Sequence, residues 1–198
     1  MLVNRHAGLK SLELMRRMRD NFHENSLNWN PIQLYDHMAT HNNIVYAPLA
    51  FCYTNYSRDG FRKNILSYHN APGIKNAVLG GAGIAVSAKT KYLNEAALYA
   101  TWIGSAEIQN SVYVVEQGQP ANIVAWQSDF ANRLTNNFFF NTMDTLKNAF
   151  VRPRYSGWPA FQKYLGEVIH AYLKDDTDPA KVLDHLQEAY RESYLNNK

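Results

Sequence analysis

Apolar residues recur at spacings of three and four along most of the chain and in short continuous runs elsewhere. The helical spacing predicts amphipathic helices, which lie at residues 7–20, 31–39, 89–103, 106–115, 142–150, 159–174 and from 179 towards the end. The continuous runs predict short buried strands at residues 44–50, at 65–68 and in the second half of 80–87. The pattern therefore predicts a mostly helical α/β chain with a few short strands.

The starts of the helices differ in how clearly they are marked. Pro31, Pro159 and Pro179 each stand at a first helical turn, where a missing amide proton loses no hydrogen bond. No convincing capping residue precedes the helix at 7–20. We therefore expect that helix to continue from a segment upstream, or to mark a cut in the chain.

The helix that follows Pro159 allows a sharper prediction. Phe161, Leu165 and Tyr172 follow one another at helical spacing and should form a buried stripe. Trp158 stands at or just before the first turn, where a side chain can reach out of the packing. We expect Trp158 to keep a face available to a ligand.

Composition indicates a folded chain and removes several classes of function. Of 198 residues, 46% are hydrophobic and 19% are charged, which suits one large domain or two small lobes. A net charge of +3 without a basic stripe argues against a nucleic-acid partner. The single cysteine, Cys52, excludes an intrachain disulfide. No apolar run approaches the roughly 18–20 residues of a membrane span, and residues 1–6 carry no export signal.

The familiar nucleotide, metal and catalytic motifs are incomplete. Gly80-Gly-Ala-Gly83 lacks the spacing and the following helix of a dinucleotide loop, so we interpret it as a flexible crossover where backbone comes close to a ligand. His37 and His41 have a zinc-compatible spacing, but the general-base Glu is absent and a solvated helix end is the better interpretation. No nucleophile elbow is present. We predict no enzyme, no cofactor and no metal.

Aromatic and polar contact groups are instead concentrated in three segments, which are residues 53–58, residues 81–83 together with Gln119, and residues 150–161. The richest, residues 150–161, sets two guanidinium groups, a phenol and an indole just before a predicted helix. Aromatic faces stack on the C–H face of a sugar ring while Arg donates to its hydroxyls, so the segment suits a carbohydrate. If the segments converge on one cleft, the ligand contacts are Tyr53, Asn55, Tyr56, Gly81, Gly83, Gln119, Arg152, Arg154, Tyr155 and Trp158.

Six stretches also form a pattern by their order and spacing. They are residues 7–15, 46–57, 80–87, 96–103, 118–120 and 152–158. Together they resemble the C-terminal half of the extracellular solute-binding proteins of family 1, the maltose-binding-protein-like components of bacterial carbohydrate ABC transporters. Members of that family are much longer, and the part missing here is their N-terminal half.

The resemblance implies an α/β, periplasmic-binding-protein-like (type II) fold of which only the C-terminal half is present. It places residues 1–80 in the C-lobe, 81–148 in the N-lobe after a crossover, and 149–198 in C-lobe helices after a return crossover. A sugar would lie in the cleft between the lobes. Tyr53 and Trp158 match the stacking aromatics of the family.

The resemblance also implies the partners and the location. The partners would be a carbohydrate ligand and an ABC permease, and the location extracellular or periplasmic at the membrane. A half-length chain would leave an unpaired sheet edge, which invites self-association or a complementing chain.

Three functions remain open at this point. The first is the substrate-binding component of a sugar importer. The second is a carbohydrate-active hydrolase, which needs an acid pair about 5–9.5 Å apart beside the aromatics; no such pair stands within the three segments. The third is a truncated half-receptor that does not bind by itself. The particular sugar does not follow from the sequence.

Overall fold

The computed structural model describes residues 3–48, 50–71 and 77–195 and shows a helical protein. About 53% of the described residues are helical. A short 3-10 helix occupies Thr54–Ser57. The α-helices of the described residues are α1 (Arg5–Arg19), α2 (Pro31–Met38), α3 (Leu93–Ile103), α4 (Ala106–Gln109), α5 (Val112–Val115), α6 (Ile123–Trp126), α7 (Asp129–Leu134), α8 (Phe138–Lys147), α9 (Trp158–Lys174) and α10 (Pro179–Leu195). Within this described part, no helix has both the length and the apolar character needed to cross a membrane.

The predicted α/β, periplasmic-binding-protein-like fold is wrong. The described residues contain no sheet, and their strand-like pairing is an isolated parallel bridge between Val78 and Phe150. The runs predicted as strands at 44–50, 65–68 and 80–87 are irregular backbone, with Leu49 outside the described residues.

These runs fail as strands for a physical reason. A short apolar run needs neighbouring strands to bury it and to pair its backbone. None is present in the described part of the chain, and Val45 stays 94% exposed. The sheet edge predicted as a route to self-association therefore has no counterpart among these residues.

The chain divides into two compact units. The terminal unit combines residues 1–29 with 153–198, and the central unit comprises residues 30–152. The predicted three-part division placed its boundaries elsewhere, at 80 and 148.

The terminal unit is built from α1, α9 and α10. Its buried core consists of Leu12, Tyr172, Leu173, Val182, Leu183 and Leu186. Gly8 permits close approach of α1 to α10, because a Cβ there would lie 2.9 Å from Leu183 Cδ1. The Tyr172 hydroxyl donates to the Leu12 carbonyl at 3.1 Å, and the Arg16 guanidinium lies 4.0 Å from the centre of the Tyr172 ring.

The start of α1 corrects one prediction made from the sequence. The Asn4 side chain accepts a hydrogen bond from the Ala7 amide at 3.2 Å, so the helix is capped. The expected continuation upstream of α1 was based on a missing cap, and the observed cap removes that reason. The predicted starts of the last two helices hold: α9 begins at Trp158 with Pro159 in its first turn, and α10 begins at Pro179.

The central unit has an aromatic core. Its buried members are Tyr35, Ala39, Tyr56, Tyr68, Val114, Trp126, Ala131, Phe138 and Phe139. Asn132 ties three of the short helices together, because its amide donates to the Trp126 carbonyl at 2.9 Å and its oxygen accepts from the Phe140 amide at 2.9 Å. Helix α2 begins with a capping box, in which Asn30 and Gln33 are each bonded to the other's backbone.

Helix α3 differs from the other α-helices of the central unit, because none of its residues is buried. Its sequence is nevertheless among the most apolar of the chain. Leu98 is 70% exposed and Trp102 is 48% exposed.

Candidate functional site

A groove of about 440 Å³ lies between α9 and α10 in the terminal unit. Its lining residues are Ala160, Phe161, Tyr164, His185, Glu188, Ala189, Glu192 and Ser193. We refer to it as the α9–α10 groove. Its volume falls within the roughly 300–1,000 Å³ typical of small-molecule sites.

Helix periodicity explains why these side chains meet. On α10, His185, Glu188 and Glu192 succeed one another at spacings of three and four, so they share one face of the helix. On α9, Phe161 and Tyr164 stand one turn apart. The connection between the two helices is residues 175–178, which is short enough to make them antiparallel neighbours.

The polar chemistry of the groove is dominated by acceptors. Glu188 and Glu192 are carboxylates, and among the described lining residues no Lys or Arg is present. Arg191 donates to Glu188 at 2.8 Å from outside the lining. Tyr164 and His185 share a hydrogen bond between the phenol oxygen and Nε2, and their ring centroids lie 5.7 Å apart. A ligand rich in hydroxyl donors would find several oxygens to bind.

A cluster of aromatic rings adjoins the groove. Tyr155 lies edge-to-face with Trp158 at 6.1 Å and with Tyr194 at 5.2 Å between ring centroids. Phe161 lies 5.7 Å from Trp158 and 5.3 Å from Tyr190. We call these five rings the aromatic cluster. Each separation is in the range where edge-to-face rings attract, about 4.5–7 Å.

Two residues connect the aromatic cluster to the groove. Phe161 belongs to both. The Tyr155 hydroxyl also shares a hydrogen bond of 2.8 Å with the hydroxyl of Ser193, which lines the groove. The predicted stacking residues Tyr155 and Trp158 are thus brought together at the rim of the groove, although neither lines it.

The local backbone fixes this arrangement. The Trp158 amide donates to the Tyr155 carbonyl at 3.0 Å, which closes a turn just before α9. Gly157 is buried at the N-cap of that helix. The turn places the phenol and the indole side by side, and the indole N–H donates to Gln162 Oε1 at 3.0 Å.

The predicted contacts of the central unit meet only in part. The Gln119 side chain accepts from the Thr54 amide at 3.1 Å and donates to the Cys52 carbonyl at 3.3 Å. It therefore lies beside the loop that carries Tyr53, as convergence of the segments requires. Both ends of its amide are occupied by backbone, however, so Gln119 holds the loop.

The remaining residues of that loop divide between surface and core. Tyr53 is 39% exposed and lies edge-to-face on Tyr35. Tyr56 is buried, and its hydroxyl donates to Asp36 at 3.0 Å. Asn55 is half-buried with an Oδ1 that has no hydrogen-bond partner. Arg58 is buried, which lowers its pKa, and donates to the Val114 carbonyl at 2.6 Å.

None of the glycines and arginines of the predicted site lines the α9–α10 groove. Gly81 and Gly83 are exposed, and a Cβ at either would meet no atom within 4 Å. Arg152 is half-buried and belongs to the central unit, whereas Arg154 is exposed in the terminal unit. The predicted set is thus divided between the two units, and Tyr155 and Trp158 are the members that adjoin the groove.

Sequence reasoning missed the polar residues of the groove. Tyr164, His185, Glu188 and Glu192 are not among the predicted contacts. The usable signal was the spacing of His185, Glu188 and Glu192 on one face of a helix that pairs with α9. Predicting their role required knowing which face of α10 meets α9.

The two histidines with zinc-compatible spacing lie side by side in the structure. His37 and His41 stack with ring centroids 4.2 Å apart, and His37 Nε2 lies 2.7 Å from Asn43 Oδ1. Within the described residues, no group of three or more His, Cys, Asp or Glu side chains could hold a metal ion.

Comparisons with protein-family models, with curated proteins and with solved structures found no match.

Proposed function

We propose that this protein binds a carbohydrate at the α9–α10 groove without cleaving it, as the solute-binding component of a sugar importer. The observation that carries the binding proposal is the junction of the aromatic cluster with a groove of hydrogen-bond acceptors. A pyranose presents an apolar C–H face and a rim of hydroxyls, and the two surfaces match that pair.

Each part of the groove has a role in this proposal. The Tyr164 ring is 36% exposed and offers a stacking face. Glu192 and Ser193 offer oxygens to ligand hydroxyls, and the hydrogen bond between the Ser193 and Tyr155 hydroxyls fixes the rim. Trp158 and Tyr155 support that rim from the side, so they act mainly by positioning.

The affinity should be modest. The groove offers one partly exposed stacking ring and a few acceptors that water also solvates. We expect dissociation constants of about 0.1–1 mM, which correspond to roughly −5.5 to −4 kcal/mol.

A hydrolase is the second candidate, because the structure places Glu188 and Glu192 beside aromatic rings. The two carboxylates stand one turn apart on the same face of α10, so they would approach a ligand from one side. A glycosidase needs its two carboxyl groups to flank the scissile bond. Arg191 also engages Glu188 at 2.8 Å. These contacts favour binding over cleavage.

The transport role rests on the resemblance of ordered stretches, and an extracellular or periplasmic location at the membrane belongs to the same proposal. Two observations test the transport role: the identity of the neighbouring genes and an assay for capture of a permease. Adjacent genes for a membrane permease and its ATPase, and capture of that permease by the sugar-loaded protein, would support it. Unrelated neighbouring genes and no capture would overturn the transport role but leave sugar binding in place.

Calorimetry and tryptophan fluorescence against a panel of mono- and oligosaccharides test the binding proposal. Tyr164→Ala and Glu192→Gln should each weaken binding several-fold. The control is Tyr46→Ala, since Tyr46 is an exposed tyrosine of the central unit, 60% exposed. Absence of heat for every sugar at millimolar concentration would refute the proposal, as would equal binding by wild type and Tyr164→Ala. Release of a reducing sugar that Glu192→Gln abolishes would favour the hydrolase.

A further inference from the structure

Helix α3 carries an apolar stripe that faces solvent. At roughly 100° per residue, Leu98, Tyr99 and Trp102 fall on one side of the helix. Their exposed fractions are 70%, 56% and 48%, and Tyr92 at the helix start adds a third exposed ring, 70% exposed. We call these four residues the α3 stripe.

The opposite side of α3 already serves the central unit. Ala96, Ala100 and Ile103 are half-buried and fall on the face away from Leu98 and Trp102. The helix is thus apolar on both sides. A helix that is apolar all round is normally covered on both, so the α3 stripe lacks the cover that its composition calls for.

We propose that the α3 stripe is a dimer interface, occupied by the α3 stripe of a second copy of this chain. The two helices would lie antiparallel about a two-fold axis near Leu98 and Tyr99. Such an isologous contact requires one surface that is complementary to itself, and a stripe of aromatic and aliphatic side chains meets that condition.

The exposed area is sufficient for a weak dimer. Three rings and one leucine at these exposures offer about 500 Å² per copy, hence about 1,000 Å² in total, the lower limit for a specific interface. A lone apolar patch of this size on a monomer is itself large and commonly functional. The expected dimer therefore dissociates in the micromolar range.

Charge favours a second copy over a membrane surface. Helices that lie on membranes carry Lys or Arg on their polar face, whereas α3 contains neither and has one acidic residue, Glu95. In an antiparallel pair centred near Tyr99, the two Glu95 positions stand about 12 Å apart at 1.5 Å of rise per residue. That separation exceeds the Debye length of about 8 Å at physiological salt, so their repulsion is small.

Within the central unit, little of the chain is left to cover the stripe. The internal residues outside the described part are position 49 and the five residues 72–76. A second copy supplies the whole complementary stripe at once. This interface replaces the sheet edge that the sequence suggested, and it is independent of sugar binding.

Sedimentation velocity on the full chain, from about 1 to 200 µM, tests the proposal. Wild type should shift from monomer to dimer, whereas Leu98→Glu and Trp102→Glu should remain monomeric with unchanged circular dichroism. Ile32→Glu is the matched control, since Ile32 is an exposed aliphatic residue of the same unit, 49% exposed, and it should dimerise as wild type does. A monomer at every concentration, or a dimer that persists in Leu98→Glu, would overturn the proposal.

A cross-linking experiment keeps the proposal testable if a charged variant folds poorly. In a Cys52→Ser background, Leu98→Cys should form a disulfide-linked dimer on mild oxidation because the two positions lie near the two-fold axis. Ile32→Cys in the same background should not. Equal cross-linking at both positions, or none at Leu98→Cys, would count against the antiparallel dimer.

Discussion

Trp158 and Phe161 lie one turn apart on α9 with ring centroids 5.7 Å apart, yet they occupy different environments. Phe161 is 3% exposed, whereas Trp158 is half-buried at the edge of the aromatic cluster. Phe161 therefore forms part of the floor of the groove, and Trp158 supports its rim. Burial of Phe161 confirms the prediction made for it from helical spacing.

The two residues should separate stability from binding. Phe161→Ala should lower the free energy of unfolding by roughly 3–5 kcal/mol, because it leaves a cavity beneath the groove. Trp158→Ala should lower it by about 1–2 kcal/mol, as expected for a half-buried side chain, and should weaken sugar binding about five- to tenfold. Urea denaturation and calorimetry measure the two quantities. If Trp158→Ala binds as wild type does, Trp158 has no role in the site.

Asn132 should be among the most sensitive polar residues of the central unit. It is 1% exposed and bonds to the Trp126 carbonyl and the Phe140 amide, so truncation leaves buried backbone groups unpaired. Asn132→Ala should cost about 2–4 kcal/mol of unfolding free energy in urea denaturation. Asn94→Ala, at an exposed position of α3, is the matched control and should change it by less than about 0.5 kcal/mol. Equal losses in both variants would contradict the role of Asn132.

Cys52 should react slowly with thiol reagents while the protein is folded. Burial raises the pKa of its thiol to about 11, so at pH 8 the reactive thiolate is roughly 100-fold scarcer than at an ordinary pKa near 9. Mass spectrometry of iodoacetamide-treated protein should show at least tenfold slower alkylation than in denaturant. Equal rates would mean that the loop carrying Cys52 opens freely.

Alkaline pH should destabilise the central unit. Burial, aided by the hydrogen bond to Asp36, raises the pKa of Tyr56 to about 12, and burial raises the pKa of Tyr35 and Tyr68 as well. The unfolded state releases these protons near pH 10, before the folded state does. The stabilisation from these neutral phenols is therefore complete below about pH 10 and declines as the pH rises towards 12.

Thermal melts from pH 7 to 11, with tyrosine ionisation followed by ultraviolet absorbance, measure this effect. The melting temperature should be flat to about pH 9 and fall above it, with the Cys52 thiol contributing from about that pH in the same direction. Tyr56→Phe should be less stable than wild type at pH 7, by about 1–2 kcal/mol, through loss of its bond to Asp36. Its own alkaline decline should be shallower. A melting temperature that rises with pH in this range would contradict the buried-phenol argument.

The candidate site could be predicted from the sequence only at its rim. Tyr155 and Trp158 stood out because they are close in sequence and precede a helix start, and a local turn does place them together. Glu192 and His185 did not stand out, because their role in the site depends on their packing against Tyr164. That residue lies on α9, whereas they lie on α10. Gly81 is exposed, and a Cβ there would meet no atom within 4 Å among the described residues, so its predicted approach to a ligand stays a prediction.

By itself, the sequence determined the helices. Spacings of three and four, together with Pro31, Pro159 and Pro179, placed the long helices within a few residues of their observed bounds, because these signals act through contacts within one turn. The tertiary structure alone decided what the short apolar runs become and which faces meet. A run such as 44–50 is a strand only if another strand pairs with it, and that partner is a matter of distant sequence. The absence of a sheet from the described residues, the meeting of α9 with the acidic face of α10 and the uncovered stripe on α3 all follow from such distant contacts, which local periodicity does not encode.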